Sequence, residues 1–186
     1  MDKDITAAIQ EESVQAELAP VFVTPVSEKM PEIQFDEQIA TDQLLARVTL
    51  DLSVGIQIEH QSQFGALNNS QQINTLFNAL LALRNAHRLR CVEVIHGSIL
   101  LSRIWKIDTN QITFVKLAKR VIGALILAHR CSADIVIRNC EWARVLGLNA
   151  SIISKWVDEI LDILHFKVTV EPEEYWLVKG AFIPQQ

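Results

Sequence analysis

The sequence predicts an all-α domain: five helices in a bundle around a central apolar one, preceded by an acidic extension and one short strand. Three observations predict it. Apolar residues recur at three- and four-residue spacing through most of residues 70 to 164, one such stretch is apolar on almost every side, and the connections are short and polar. The 186 residues, 49% apolar and 21% charged, suit one globular domain with a tail.

In chain order, residues 1 to 37 mix acidic side chains with Pro20, Pro25 and Pro31 and lack sustained periodicity, which predicts a mobile or loosely docked arm. The arm is drawn over 1 to 47, with a short helix at Gln38 to Ala46 where Thr41 or Asp42 caps a turn carrying Leu44 and Leu45. Val48, Leu50, Leu52, Val54, Ile56 and Ile58 alternate with more polar residues. This two-residue repeat predicts an extended segment over 48 to 68 with a strand from Val48 to Ile58. It would either cover an apolar groove of the domain or present an edge to a partner or a second copy, and it could pair with Phe166, Val168 and Val170, which alternate likewise.

The helical domain is drawn over 69 to 175. Asn69 or Ser70 caps a first helix that carries Ile73, Leu76, Phe77, Leu80, Leu81 and Leu83 on one stripe and ends near His87. A second runs from about Val92 to Ile107. The third, about Thr113 to Cys131, is apolar all round between Val121 and Ala128 and takes the centre of the bundle. A fourth, about Ile137 to Leu146, is stopped by Gly147, and a fifth spans about Ala150 to Leu164. Residues 176 to 186 are read as a tail.

Charge is uneven. Residues 1 to 59 hold 12 acidic and 3 basic side chains, and residues 60 to 186 hold 10 and 14. The basic excess of the second part is too dilute for the concentrated stripe that nucleic acid requires, so no nucleic-acid partner is expected. Cys91, Cys131 and Cys140 are odd in number and lack CxxC spacing, which predicts buried, reduced thiols. His60, His87, His96, His129 and His165 are too dispersed for a metal site. No phosphate loop, nucleophile elbow or ligand cluster occurs, so neither enzyme activity nor a metal or cofactor is expected. No apolar run approaches the roughly 20 residues of a membrane span, and no signal peptide begins the chain. The expected setting is intracellular, in cytoplasm or nucleus.

Trp142 and Trp156 sit within periodic apolar faces and read as core. Arg120, early in the central helix, reads as one half of an internal ion pair or as a loop cap. Asp158, Glu159 and Asp162 crowd one helix face, the pattern of a solvated surface. Arg130 closes the most apolar helix with a multidentate cation, set either to reach a partner's carbonyls and carboxylates or to be satisfied locally by Asp134.

Helices three to five resemble the cyclin box, in particular the divergent fungal phosphate-pathway and trypanosomatid cyclins. Arg120, Ala124, Leu127, Ala128, Arg130 and Asp134 fall at that family's positions in the third helix, with arginine for lysine. Asn139, Trp142, Ala143, Gly147 and Leu148 match the fourth. Ile160, Leu161, Leu164, Phe166, Val168, Val170, Glu173, Glu174 and Tyr175 match the fifth and its exit. The resemblance implies a five-helix cyclin box over about residues 70 to 175. It also implies a regulatory subunit that docks on a cyclin-dependent protein kinase and shifts it toward the active arrangement. Leu127, Arg130, Leu161 and Phe166 would make the kinase contacts. Val157 replaces the glutamate that pairs with the lysine position in the family, leaving Asp158 or Glu159 as the acidic partner. The substrate-docking motif of mitotic cyclins is absent, and Ser102 stands where an aspartate precedes Arg103.

Two other readings compete. Trp142 to Leu161 also resembles a helix-turn-helix with Gly147 in the turn, followed by FKVTVEPEEYWLV as a wing, which would make a winged-helix DNA-binding protein. The supposed recognition helix then offers Lys155 followed by Asp158, Glu159 and Asp162, which repel phosphate. With Val157 in place of glutamate, a cyclin-fold adaptor that no longer binds a kinase is the third reading.

Overall fold

A computed structural model describes residues 38–59, 70–108 and 113–182. Among them are seven helices and no strand beyond one isolated bridge. They are α1 (Asp42–Glu59), α2 (Ser70–His87), α3 (Cys91–Ile107), α4 (Phe114–Ser132), α5 (Asn139–Leu146), α6 (Ala150–Ile163) and α7 (Pro172–Phe182). The all-α class is the one the periodicity predicts, and α2 to α6 are the five expected helices with ends shifted by a residue or two.

The expected strand at Val48 to Ile58 is helix α1 instead. Its alternating residues satisfy a second spacing as well: Leu44, Leu45 and Val48 recur at helical intervals and are buried in the same cluster as Leu76, Leu80 and Leu83 of α2. A strand would place Leu50 beside Val48 and turn Thr49 away. In α1 the reverse holds, with Leu50 55% exposed and Thr49 3%. Thr49 satisfies its buried hydroxyl by donating to the Leu45 carbonyl at 2.7 Å, the back-bond open to a β-branched hydroxyl inside a helix. Burial against α2 outweighs strand propensity here. No strand edge is therefore left for self-association through residues 48 to 58.

Residues 38 to 47, expected in the arm, are docked. Ala40 N–H donates to the Leu89 carbonyl and Cys91 N–H to the Gln38 carbonyl, both at 2.8 Å. Arg84 holds the same corner, donating to the Ala40 carbonyl at 2.9 Å and pairing with Asp42. Thr41 caps α1 through the Leu44 N–H at 3.1 Å, as its position predicts. The arm expected over residues 1 to 37 lies outside the described residues.

The centre of the bundle is a pair of helices rather than one. α4 is buried without a break from Arg120 to His129, and α3 from Cys91 to Gly97. They approach closely because Gly97 has no side chain: a Cβ there would lie 3.3 Å from the Cα of Leu125, against backbone that cannot step aside. α6 packs on the other side of α4, where a Cβ on Gly123 would collide with Ile160 Cδ1. α5 ends at Gly147 in the left-handed conformation (φ 66°).

The C-terminal stretch also departs from expectation. Residues 167–170 form no ladder, and residues 172–182, read as the end of the helical domain and the start of the tail or as the second half of a wing, form α7. Its Tyr175 is 4% exposed and packs on Val92, Ile95 and Ile99 of α3. Side chains of α3 hold the connecting segment. His96 Nε2 lies 2.9 Å from the Val168 carbonyl, while Arg103 donates to the carbonyls of Lys167 (3.2 Å) and Thr169 (2.8 Å) and pairs with Glu174.

Candidate functional site

The four proposed contact residues do not form one continuous patch. Leu127 is 4% exposed, inside the core. Arg130 lies in the last turn of α4, where the carbonyl end of the helix favours a cation. Leu161 is half-buried near the end of α6, and Phe166 stands beyond it, 68% exposed, with its N–H donating to the Leu161 carbonyl at 2.9 Å. Arg130 and Leu161–Phe166 thus sit toward opposite ends of α6.

Arg130 is braced. Its Nη2 donates to Asn139 Oδ1 at 2.6 Å, Asn139 Nδ2 donates to Ser154 Oγ at 2.8 Å, and Ser154 Oγ donates to the Ala150 carbonyl at 3.1 Å. The local partner is therefore Asn139 at the start of α5 rather than Asp134. This chain ties three helix ends to one guanidinium. Its Nε is buried without a hydrogen-bond partner among the described residues, so a buried donor is left open.

Val157 is 1% exposed and faces the core, whereas Asp158 and Glu159 are exposed. Burial holds the Arg120 guanidinium below its ordinary value, and nearby Glu159 only partly offsets this by favouring the charge. Arg120 precedes Arg130 by ten residues, about 15 Å of helix. Arg120 itself is 2% exposed, paired with Asp108, and set 4.9 Å from the ring centre of Trp105. It is the internal ion pair expected of it. Trp142 is core, fully buried; Trp156 is half-buried. Cys91 is buried, but Cys131 and Cys140 are exposed, because the connection between α4 and α5 leaves both outside the bundle.

Beneath Arg130 lies a network that the sequence did not disclose. The Glu93 carboxylate, 3% exposed as a side chain, accepts from the Arg90 N–H at 2.8 Å, from Arg90 Nη2 at 3.1 Å and from His129 Nδ1 at 3.1 Å. Arg90 continues to the Ser132 carbonyl at 2.7 Å. Burial pushes the Glu93 carboxyl up, but His129 and Arg90 outweigh it and hold it below its ordinary value. The available signal was an acid at 93 within the apolar run Cys91–Leu101, three residues after Arg90. That spacing is half of a capping box: Glu93 accepts from the Arg90 N–H, while the arginine side chain, which has no acceptor, cannot return the bond.

His96 is also buried, and burial, with the Arg103 charge, holds its imidazole below 6.5 against the pull of the Val168 carbonyl and Glu174. A histidine with a lowered folded pKa contributes stability that is present above 6.5 and lost as pH falls through its folded value. Acidification from about pH 7 to about pH 5 should therefore destabilise the protein and speed hydrogen exchange at residues 167–170. The slope should shrink in His96→Asn without vanishing, because burial holds His87 below 6.5 as well. An unchanged slope in that variant would remove His96 as the sensor.

No family model matches the chain, and no curated protein matches it. Among the described residues no group of three His, Cys, Asp or Glu could hold a metal ion, and no helix is long and apolar enough to cross a membrane.

Proposed function

We propose that this chain is a cyclin-like regulatory subunit that binds a cyclin-dependent protein kinase and acts through it, with no chemistry of its own. The observation that carries the reading is Arg130. It is a half-buried cation at the end of a buried helix, fixed through Asn139 and Ser154. A guanidinium held this way reaches carbonyls or a carboxylate of a partner at little cost in side-chain order. Leu161 and Phe166 offer separate apolar area at the far end of α6, and the residues that resemble the cyclin box fall in order on α4, α5 and α6.

Affinity capture of the full chain at native expression and physiological salt, followed by mass spectrometry, should retain a kinase of that class. Arg130→Glu should lower its retention at least about tenfold, the scale of losing a buried charged contact, with helicity unchanged. If no kinase is ever retained, the regulatory-subunit reading falls and the adaptor reading replaces it. If mutant and parent bind alike, Arg130 leaves the site.

A further inference from the structure

A groove opens between the last turn of α3 and the segment that follows α6, lined by Arg103, Lys106, Ile107, Leu164, Phe166, Lys167, Thr169 and Glu171. We propose that this groove docks a short acidic segment of a partner protein, one that carries an apolar side chain beside its carboxylates.

The apolar half of the recognition comes from Phe166 and Ile107, 68% and 52% exposed, over a buried Leu164. Large apolar side chains this exposed and this close together are usually covered by something. Phe166 is moreover held at φ 60°, directly after His165 at φ 48°. Two successive residues other than glycine in the left-handed region are strained, and such strain persists where the surroundings impose it and tends to gather at functional sites. The surroundings here are visible. Arg103 grips the carbonyls of Lys167 and Thr169, and His96 holds that of Val168, so the turn is fixed from α3 and the ring of Phe166 stays outside.

The charged half selects the occupant. Arg103 is committed to Glu174 and to the loop carbonyls. Lys106 and Lys167, both exposed, pair with no carboxylate among the described residues. Glu171 is the one acid on the lining. A segment bearing carboxylates gains from both lysines, and a basic one is repelled. Two free ammonium groups flanking an apolar floor are too few for the repeating phosphates of a nucleic acid, which are gripped by many cations in a row.

The proposal shares Phe166 with the kinase reading but needs neither Arg130 nor a kinase. The test is selection of displayed random peptides of about twelve residues on the full chain, followed by affinity measurement with a synthetic consensus peptide. Enriched peptides should carry acidic residues next to an aromatic or aliphatic one, and their affinity should fall as salt rises. Lys106→Glu with Lys167→Glu, both at exposed positions that leave the core intact, should weaken binding at least about tenfold. Ile107→Ser should weaken it as well, and Arg130→Glu should leave it unchanged. Enrichment of neutral or basic peptides overturns the proposal. So does equal binding by the charge-reversed protein, or preferential binding of a single-stranded oligonucleotide.

Discussion

Replacing Trp142 with alanine is expected to cost about 3–5 kcal/mol of unfolding free energy, the range for truncating a sealed aromatic side chain. The indole is fully buried. It packs between the rings of His87 on α2 and His129 on α4, at centroid distances of 4.5 and 5.6 Å. Helix α5, which carries it, has eight residues, too few to persist in water alone, and Trp142 is its largest core side chain, packed beside Ala143, Val145 and Leu146. At about 2–4 °C per kcal/mol for a protein of this size, the melting temperature should fall by roughly 10 °C. Because α5 also supplies Asn139, the brace of Arg130, the proposed kinase binding should weaken together with stability. Trp142→Phe should cost much less: it keeps most of the apolar volume and removes an indole N–H that is buried without a partner among the described residues. A loss below about 1 kcal/mol for the alanine variant would mean that the site collapses onto the gap and that α5 is held elsewhere.

Glu93→Ala should be nearly as severe, about 3 kcal/mol, because it removes the acceptor shared by Arg90 and His129 and leaves buried donors facing apolar surroundings. Glu93→Gln, which keeps an acceptor oxygen in place, should lose less. The pH dependence identifies the cause. With its folded pKa below 4.5, Glu93 contributes stability that is complete above that value and disappears as pH falls through the folded pKa. Acid melting should therefore show a limb below pH 4.5 in the parent that is absent in Glu93→Ala. The same acid limb in both would assign it to other carboxylates.

How much of this was legible in the sequence depended on the kind of residue. Helices α2 to α6 could be read because their apolar stripes are long enough for the helical period to dominate. Val48 to Ile58 could not, since its β-branched residues satisfy both periods and only burial against α2 decides between them. The same degeneracy hid α7: Val168 and Val170 alternate like a strand, but the carbonyls around them are taken up by His96 and Arg103, and the chain then turns helical at Pro172, a favoured first helical residue. At the candidate site, position along the helix was readable and orientation was not. Arg130 was identified by its place at the end of an apolar helix, yet its partner Asn139 lies nine residues on, across a turn whose path no spacing rule supplies. The Arg90–Glu93–His129 network was partly written in the Arg90–Glu93 interval, but His129 enters it only through the packing of α4 on α3.

The docking of Tyr175 on α3 bears on how the chain is made. The face formed by Val92, Ile95 and Ile99 emerges from the ribosome about 75 residues before the side chain that covers it, which at 5–20 residues per second is roughly 4–15 s. Throughout that interval a nascent chain presents bare aliphatic surface on α3, a natural substrate for chaperones that act during translation.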